Sequence, residues 1–402
     1  MIFCLTLLFL APSHSSTNLT FKAFPRPDLD VLFTPQLDWT WLGGDSSASV
    51  LLADSSSLWL FGDSLIGSLV EHGHGIQSRN ITRMPHSTLA RLPSHLNQSV
   101  PSLPEFFIPP TSQGWFSPPQ DAHWLDGADS DAYYWLIDGV VTNESDALLL
   151  QAMVIVNDNS SIGFSQVGSD LIVVPNFSVA GTEPSKWSYH TARLPHSSTP
   201  RISSRETSIG FTCSWNEGIA SEGSYVYLLG NCDGSAAMAR VLDQHAVTLS
   251  LDHMQFWAGT DQGWVTVNSS STLLAGTVAK LFDSPFTEGT LKYSPELGWY
   301  VFLCQAYDSE VRLAFSSARS LASPGDQWIV TSVYTIPLKR RSNGTFSYAA
   351  KSHPQLVGEN TSPGIERFVF SYNTNAGPGL EALVNKTWVY HPTFVEIELK
   401  IE

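Results

Sequence analysis

SLWLFGDS, at residues 57–64, is a run of aromatic and aliphatic residues that ends abruptly at a glycine and an aspartate. Short apolar runs that are bounded by turn residues in this way are typical of β-strands. Four later segments share this design: AYYWLIDG (132–139), SYVYLLGNCDG (224–234), GWYVFLCQAYDS (298–309) and ERFVFSYNTN (366–375). The segments recur at intervals of about 70 to 90 residues, and a fixed period of this kind indicates a repeat architecture.

A second kind of segment precedes each aromatic strand, namely a short strand with an acid or a histidine near its start. These segments are LGGDSSASVLL (42–52), PPQDAHWLDG (118–127), CSWNEGIASEG (213–223), FTEGTLKYS (286–294) and AAKSHPQLV (349–357). Helical periodicity is almost absent, so the chain is predicted to be all-β. Five copies of a polar-start strand, an aromatic strand and outer strands predict a five-bladed β-propeller with four-stranded antiparallel blades. A two-sheet sandwich would not explain a fivefold recurrence.

The repeats set the predicted domain boundaries. The blades are expected at about 40–95, 115–180, 205–268, 283–337 and 346–400, in a single domain that covers residues 17–402. Residues 20–39 are expected to add a strand that closes the ring against the last blade. The segment before them, MIFCLTLLFLAPSHSS (1–16), has a short apolar run followed by small polar residues, and it is predicted to be a signal peptide. No later stretch is long and apolar enough to suggest a membrane span.

The distribution of asparagines supports export of the protein. Ten Asn residues lie in Asn-x-Ser/Thr sequons, more than the Ser and Thr content gives by chance, and this excess indicates a secreted, N-glycosylated protein. The predicted acceptors are Asn18, Asn80, Asn97, Asn143, Asn159, Asn176, Asn268, Asn343, Asn360 and Asn385.

The four cysteines fit the same compartment. Cys4 would leave with the signal peptide. Cys213 and Cys232 flank two strand-like runs that are joined by a Gly/Ser turn, so they should lie opposite each other on antiparallel strands. We therefore predict a disulfide between Cys213 and Cys232, and a buried, unpaired Cys304.

Charge and missing motifs narrow the classes of partner. The chain has 37 acidic and 21 basic residues and a net charge of −16, so it offers no basic field for nucleic acid. Its 13 Trp, 21 Phe and 12 Tyr residues favour carbohydrate as a substrate or ligand. No phosphate-binding loop or Gly-x-Ser-x-Gly elbow occurs, and HGH (72–74) lacks a third metal ligand. We expect a monomer without a metal or other cofactor.

In a propeller the innermost strands line a central channel, so the polar residues near their starts should converge at one mouth. These residues are Asp45, Asp121, Glu217, Glu288 and His353, one from each predicted blade. Asp63 ends the strand next to the one that Asp45 opens, and antiparallel pairing should bring the two aspartates to the same end of the blade. The alternative for each aspartate is an ordinary Gly-Asp turn, since Asp is a common turn residue.

Several motifs resemble those of the five-bladed propeller glycoside hydrolases. They are LGGDSSASVLLADSSSLWLFGDSLIG (42–67), LKYSPELGWYVFLCQAY (291–307), SHPQL (352–356) and VFSYNTN (369–375). The chain most closely resembles a family long known only as a domain of unknown function and linked to endo-D-arabinanases. The resemblance implies that Asp45 and Asp63 match a pair of family aspartates. By analogy with other five-bladed glycosidases, it also implies that Asp45, Asp121 and Glu217 act as base or nucleophile, pKa modulator and general acid.

These residue types suit glycoside hydrolysis, which needs a carboxylic acid to protonate the leaving oxygen and a carboxylate as nucleophile or base. Contacts to sugar are expected from His86, Glu288, His353, Asn373 and Asn375. The first hypothesis is a secreted hydrolase that cleaves a neutral, furanosidic or other, glycan. The second is a non-catalytic extracellular propeller that binds a glycan or a protein.

Overall fold

The computed structural model describes most of the chain, and everything below refers to these residues. The described ranges are 6–7, 19–94, 102–119, 132–142, 144–157, 163–195, 213–232, 234–266, 278–283, 286–294, 298–306, 309–316, 318, 320–325, 328–337, 344–357, 365–377 and 379–401. The segment predicted to be a signal peptide lies largely outside them, as does Asp121.

The N-terminal region contains strands β1 (Thr6–Leu7) and β2 (Leu19–Pro25) and helix α1 (Pro27–Phe33). The strands of the next two sheets alternate along the chain between residues 41 and 107. Sheet 1 has the strand order β4-β5-β8-β9 and consists of β4 (Ala48–Leu51), β5 (Ser57–Phe61), β8 (Thr88–Leu92) and β9 (Glu105–Phe107). The inserted sheet has the order β3-β6-β7 and consists of β3 (Trp41–Gly44), β6 (Ser64–Glu71) and β7 (Gln77–Arg83).

Sheets 2 and 3 are antiparallel and meander in sequence order. Sheet 2 consists of β10 (Tyr133–Val141), β11 (Leu148–Asn157), β12 (Phe164–Val174) and β13 (His190–Arg193). Sheet 3 consists of β14 (Cys213–Glu222), β15 (Tyr225–Cys232), β16 (Ser235–Leu242), β17 (Gln255–Trp257) and β18 (Trp264–Thr266), with β19 (Phe282–Asp283) pairing with β16. Short helices lie between these strands: α2 (Phe177–Ala180), α3 (Asp243–Val247) and 3₁₀ turns at Pro184–Lys186 and Leu251–His253.

Sheets 4 and 5 complete the chain. Sheet 4 consists of β20 (Phe286–Ser294), β21 (Trp299–Ala306), β22 (Glu310–Ser316) and β23 (Trp328–Thr335). Sheet 5 consists of β24 (Thr345–Ser352), β25 (Ile365–Ala376) and β26 (Thr393–Ile401), with a 3₁₀ turn at Pro354–Leu356 and helix α4 (Leu380–Asn385) in the connections. Strand β2 pairs with β26, so the predicted return of the N-terminal segment to the last sheet is confirmed.

The core lies between successive sheets, because each sheet is apolar on both faces. Five clusters of buried residues join sheets 1 and 2, 2 and 3, 3 and 4, 4 and 5, and also 5 and 1. In the last of these clusters, Trp59 and Phe61 of sheet 1 pack with Val369 and Phe394 of sheet 5 and with Phe33 of α1. The first strands of the sheets also contact one another in sequence: β4 contacts β10, β10 contacts β14, β14 contacts β20, and β20 contacts β24. Strand β24 in turn contacts β4.

The predicted position of AYYWLIDG as a second strand is wrong. Among the described residues the first strand of sheet 2 is β10, which contains all of this segment except Ala132, and most of the PPQDAHWLDG segment lies outside the described residues. AYYWLIDG had been expected as the second strand, because a run that ends in Asp-Gly has the appearance of a strand followed by a turn. The strand instead continues to Val141 through an irregularity between Leu136 and Asp138.

The disulfide prediction is confirmed. Cys213 and Cys232 are bonded, and they are directly opposite partners on β14 and β15. Cys304 is buried and forms no disulfide, as expected.

The sequons can be placed only in part. Asn80, Asn176 and Asn385 are exposed. The other seven lie outside the described residues: Asn18, Asn97, Asn143, Asn159, Asn268, Asn343 and Asn360. Within the described ranges, no helix has the length and apolar character that crossing a bilayer requires.

Candidate active site

The first strands of sheets 2 to 5 share an irregularity in their pairing. Their register shifts lie between Leu136 and Asp138 in β10, Ser214 and Gly218 in β14, Thr287 and Thr290 in β20, and Tyr348 and Lys351 in β24. In sheet 1 the matching position is the turn before β4, where Ser46 and Ser47 have positive φ values of 66° and 55°. Bulges and such turns redirect side chains out of the regular alternation. Five of the charged residues described next lie at or beside these positions: Asp45, Asp138, Glu217, Glu288 and Lys351.

Asp45 and Asp63 are neighbours through the backbone. The Asp45 N–H donates to the Asp63 carbonyl over 3.3 Å, and the Gly62 N–H donates to the Asp45 carbonyl over 3.0 Å. A Cβ atom at residue 62 would collide with Oδ1 of Asp45, so glycine is what allows the carboxyl group to lie against this strand. The structure thus brings the two aspartates to one end of sheet 1, as the sequence predicts.

The carboxyl group of Asp45 is bound by two phenols. Tyr348 donates its hydroxyl to Oδ2 over 3.0 Å, and Tyr390 donates to the same oxygen over 3.4 Å. Burial raises the pKa of Asp45 well above its ordinary value, and the nearby charges of Asp63 and Glu288 raise it further. The two phenol hydrogen bonds lower the pKa without offsetting these effects. The surroundings of Asp45 therefore favour its protonated form.

Asp63 has different surroundings. Its Oδ1 atom accepts hydrogen bonds from Nδ1 of His86 over 2.8 Å and from Nε1 of Trp135 over 3.0 Å. The His86 ring stacks on Tyr133, with ring centroids 3.5 Å apart. The side chains of Asp63 and His86 are 15% and 18% exposed, so both reach solvent. Among the described residues none donates to Oδ2 of Asp63, and this oxygen is left for a ligand or a water molecule.

Further acids lie deeper in the same region. Glu217 is 1% exposed, and no side chain within the described ranges donates to its carboxyl group. Burial raises the pKa of Glu217 to about 8, against the opposing effects of Lys351 and of a backbone hydrogen bond from Gly289. Burial also raises the pKa of Glu288, which faces both Asp45 and Glu217. Asp63, Asp45 and Glu288 are thus partly exposed, and Glu217 lies deeper.

Two lysines cross the interior below these acids. Lys351 of sheet 5 donates to the carbonyl of Ile137 in sheet 2 over 2.8 Å and to that of Gly289 in sheet 4 over 3.0 Å. Lys292 of sheet 4 forms an ion pair with the fully buried Asp138 of sheet 2 at 3.0 Å. Burial lowers the pKa of Lys351 to about 8, although Glu288, Asp138 and Glu217 all favour its charged form. These contacts tie three sheets together through charged groups, of which Lys351 and Asp138 are fully buried and Lys292 is partly exposed.

The remaining predicted site residues divide into two groups. His353 is fully buried, with its ring nitrogens bonded to Ser49 and Ser371 and its ring stacked on Trp59, so the expected contact with sugar does not fit its placement. Asn373 is also buried, and it bonds Ser47 and the Gly44 carbonyl. Its role is to hold the Asp45 turn, because it has no surface to offer a sugar.

Asn375 and His86 remain at the accessible end of the site. The Nδ2 atom of Asn375 lies 3.5 Å from the Tyr348 hydroxyl, and Asn375 is partly exposed. Glu288 faces the Asp45 carboxyl from below and is partly buried, with its Oε2 atom enclosed. The structure therefore gathers Asp45, Asp63, His86, Glu288 and Asn375, while Glu217 lies deeper.

Sequence reasoning missed Tyr348, Tyr390, Trp135 and Asp138. Asp138 lies beside Gly139 near the end of an aromatic strand segment, and the likeness to Asp63, which lies beside Gly62, could have identified it. Tyr390 follows a short helix and has a positive φ of 67°, which no sequence pattern predicts. Within the described residues, no cluster of three or more His, Cys, Asp or Glu side chains has a geometry that suits a metal ion.

One solved structure supports this fold, and two others show a more distant likeness. A Bacteroides ovatus protein assigned as a hydrolase is 17% identical, with a TM-score of 0.60, and the alignment covers 97% of this chain and 93% of that one. The alpha-L-arabinofuranosidase of Podospora anserina is 9% identical with a TM-score of 0.43, and the alignment covers 92% and 94% of the two chains. The alpha-L-arabinofuranosidase of Coprinopsis cinerea is 10% identical with a TM-score of 0.44, and the alignment covers 92% of this chain and 94% of that one.

Sequence comparison gives one match. No curated protein matches the chain significantly. A family model described as a domain of unknown function, DUF5005, matches residues 27–399, which is nearly the whole described structure. The chain therefore belongs to the DUF5005 family.

Proposed function

We propose that this protein is a glycoside hydrolase in which Asp45 and Asp63 are the catalytic pair. The observation that carries the proposal is the contrast between two adjacent carboxyl groups. Both side chains are partly exposed, but Asp45 accepts hydrogen bonds from two phenols and has a pKa that burial raises, while Asp63 accepts hydrogen bonds from His86 and Trp135. Unlike surroundings for two neighbouring acids supply the protonated and the ionised form at one pH, and glycosidic bond cleavage needs both.

The roles follow from this contrast. Asp45 protonates the leaving glycosidic oxygen, and the accessible Oδ2 atom of Asp63 attacks the anomeric carbon or activates a water molecule. We assign the acid role to Asp45 rather than to Glu217, because Glu217 is 1% exposed and does not reach the surface where a glycan would lie. Asp138 replaces Asp121 as the acid that sheet 2 contributes, but its ion pair with Lys292 gives it a structural role.

The fold assignment within this proposal is a five-bladed β-propeller. Five successive sheets, five core clusters between them and the contact between β24 and β4 all support a closed ring with sheets 1 to 5 as its blades. Sheet 3 has additional strands, and the inserted sheet adds three more beside blade 1. Asp45 and Asp63 would then lie at one mouth of the channel.

The substrate proposed is a neutral, furanosidic glycan, and an endo-D-arabinanase activity is one form of it. The partly exposed ring of Trp135 and the amide of Asn375 flank the aspartates and suit sugar rings and hydroxyls. We also propose that residues 1–16 are a signal peptide and that residues 17–402 form one secreted, glycosylated, monomeric domain. The exposure of Asn80, Asn176 and Asn385 supports glycosylation.

The test is the release of reducing sugar from a panel of plant, algal and bacterial polysaccharides. Asp45→Asn and Asp63→Asn should each reduce kcat by about a hundredfold to ten-thousandfold, which is the range for loss of an acid or base. Asp252→Asn is the matched control, because this aspartate is 76% exposed and lies in the 3₁₀ turn Leu251–His253, which precedes β17 of sheet 3. The anomeric form of the first product, followed by NMR, would show whether Asp63 acts as nucleophile or as base.

Wild-type rates in both aspartate variants would refute the catalytic assignment. Binding on a glycan array without any product, for the wild type and both variants alike, would support the non-catalytic binding propeller instead.

A further inference from the structure

Arg79 is a buried cation that lies in the inserted sheet, outside the acid cluster. It is 2% exposed, and all five of its N–H donors are directed to backbone carbonyls. Nε donates to Leu42, Nη1 to Leu383 and Lys386, and Nη2 to Thr387 and Val389, over distances of 2.6 to 3.1 Å. A buried guanidinium with every donor satisfied fixes the segments that surround it.

Four of these carbonyls belong to the end of helix α4 and the segment that follows it. The last carbonyls of a helix have no partner within the helix, and an arginine side chain can satisfy them. Burial lowers the pKa of Arg79 to about 10, so it stays charged at neutral pH. Its charge and its donors therefore hold residues 383–389 against β7 and β3.

Tyr390 follows this segment directly. Its N–H donates to the Thr374 carbonyl over 2.7 Å, and its own carbonyl accepts from the Gly44 N–H over 2.8 Å. A Cβ atom at Gly43 would collide with the Tyr390 carbonyl, so the two backbones touch. The positive φ of Tyr390 is a conformation that L-residues rarely adopt, and it persists only where the surroundings enforce it.

We propose that Arg79 is a positioning residue, which holds the segment before Tyr390 so that the Tyr390 hydroxyl stays on the Asp45 carboxyl. The route is short: Nη2 of Arg79 bonds Val389 over 2.6 Å, and the next residue places its hydroxyl 3.4 Å from Asp45 Oδ2. The effect on catalysis rests on the proposed function, in which Asp45 is the general acid. The contacts that link Arg79, Val389, Tyr390 and Asp45 do not depend on it.

The consequence is a change in the protonation of Asp45. The groups that face Asp45 are Asp63, Glu288, Tyr348 and Tyr390, and those that face Tyr390 are Asp45, Asp63 and Arg79. A phenol that donates to a carboxylate stabilises its ionised form. Loss of the Tyr390 contact should therefore raise the pKa of Asp45 further. If Asp45 is the general acid, the alkaline limb of the pH–rate profile should move upward by the same amount.

The experiment uses the full chain in four forms: wild type, Arg79→Lys, Tyr390→Phe and the double variant. The Asp45 carboxyl is titrated by NMR on protein with ¹³C-labelled aspartate, and its signal is assigned with Asp45→Asn. Arg79→Lys and Tyr390→Phe should each raise the Asp45 pKa by about one pH unit, as expected for one hydrogen bond to a charged group. The double variant should show no further rise, because both changes remove the same contact.

Arg193→Lys is the control. This arginine bonds Asp170 and the Val167 carbonyl in sheet 2, remote from Asp45, and its substitution should leave the titration unchanged. Thermal melts show whether each variant folds, and Arg79→Gln, which keeps two N–H donors, replaces the lysine variant if that one does not fold. The titration of Asp45 is independent of turnover, so a shift without any hydrolase activity would refute the proposed function and leave the positioning role standing.

Three results would overturn the inference. One is a pKa shift in Tyr390→Phe with none in Arg79→Lys, and another is a further rise in the double variant. The third is failure of both Arg79 variants to fold, because Arg79 would then serve the fold as a whole rather than the Tyr390 contact.

Discussion

At the scale of single residues, the site depends on how two identical side chains acquire different chemistry. The backbone places Asp45 and Asp63 side by side, and the difference comes from what surrounds each carboxyl group. Asp45 accepts hydrogen bonds from Tyr348 and Tyr390 and lies near the charge of Glu288, whereas Asp63 accepts hydrogen bonds from two N–H donors. The two donors fix Oδ1 of Asp63, and no hydrogen bond from the described residues occupies Oδ2.

Trp135 offers the cleanest test of this arrangement. Trp135→Phe removes the Nε1 donor to Asp63 but keeps an aromatic ring against Phe164, whose centroid is 4.7 Å away. A hydrogen bond to a charged group contributes about 1.5–3 kcal/mol, so kcat/KM should fall by about tenfold to a hundredfold. The measurement is steady-state hydrolysis of the best polysaccharide from the panel.

Trp187→Phe is the matched control, because its Nε1 atom also donates one hydrogen bond, to the Gly181 carbonyl in a remote loop. An equal loss in both variants would mean that the Trp135 effect is general destabilisation. An unchanged kcat/KM in Trp135→Phe would mean that Asp63 does not depend on this donor.

At the scale of elements, the irregular positions of the first strands decide which side chains enter the site. Regular alternation would send successive residues to opposite faces of a sheet, whereas a bulge brings neighbours such as Glu288 and Gly289 to the same region. In sheet 1 the same result comes from the turn at Ser46 and Ser47, whose left-handed conformations are held by hydrogen bonds to Leu136 and Asn373. The aspartate pair therefore depends on a strand end that is shaped by two other sheets.

Gly62 tests this dependence at the end of β5. Gly62→Ala would force its Cβ atom into Oδ1 of Asp45 and displace the carboxyl group while leaving the rest of the strand in place. A displacement of about 1 Å can cost about a hundredfold in rate, so kcat should fall by at least that factor. Circular dichroism should show a folded protein whose stability is reduced by about 1–3 kcal/mol.

Gly377→Ala provides the comparison, since a Cβ atom at residue 377 meets nothing within 4 Å. It should behave as wild type in both assays. Full activity in Gly62→Ala would contradict the close packing of Asp45 against this strand.

The limits of sequence reasoning also lie at this scale. The repeat of aromatic strands predicted the sheets, and the turn midpoint predicted the Cys213–Cys232 pairing, because both are properties of local alternation. The first strand of sheet 2 was misplaced, since the bulge before Asp138 makes a continuing strand look like a strand end. Tyr390 could not be found at all, because its approach to Asp45 is set by Arg79 and by backbone contacts with Gly43 and Gly44.

At the scale of the whole molecule, the sheets are joined by two different kinds of contact. Apolar clusters fill the spaces between successive sheets, and strand β2 pairs with β26 of the last sheet. Toward the interior the contacts involve charged groups. Lys351 donates to carbonyls of sheets 2 and 4, and Lys292 forms an ion pair with a carboxylate of sheet 2. Buried charges of this kind contribute little net stability, but removal of one partner is costly. The interior is therefore arranged for the site rather than for stability.

This arrangement predicts how stability depends on pH. The pKa of Glu217 is about 8 in the folded protein and has an ordinary value of 4.5, so between these pH values the folded state keeps a proton that the unfolded state has lost. The stabilisation is complete below pH 4.5 and is lost as the pH rises toward 8, at up to about 1.4 kcal/mol per pH unit. Asp45 and Glu288, whose pKa values are also raised, act in the same direction. Lys351 adds no slope in this window, because its lowered pKa of about 8 leaves it charged in both states until the upper end.

Glu217→Gln should flatten this dependence, because a neutral amide of the same shape has no proton to retain. Urea unfolding at several pH values from 5 to 8 should give the wild type a free energy of unfolding that falls with pH. The slope for the variant should be smaller by the equivalent of about one proton, so the variant gains on the wild type as the pH rises. Asp252→Asn, at an exposed position, should keep the wild-type slope. Identical slopes for wild type and Glu217→Gln would contradict the raised pKa of Glu217 in the folded protein.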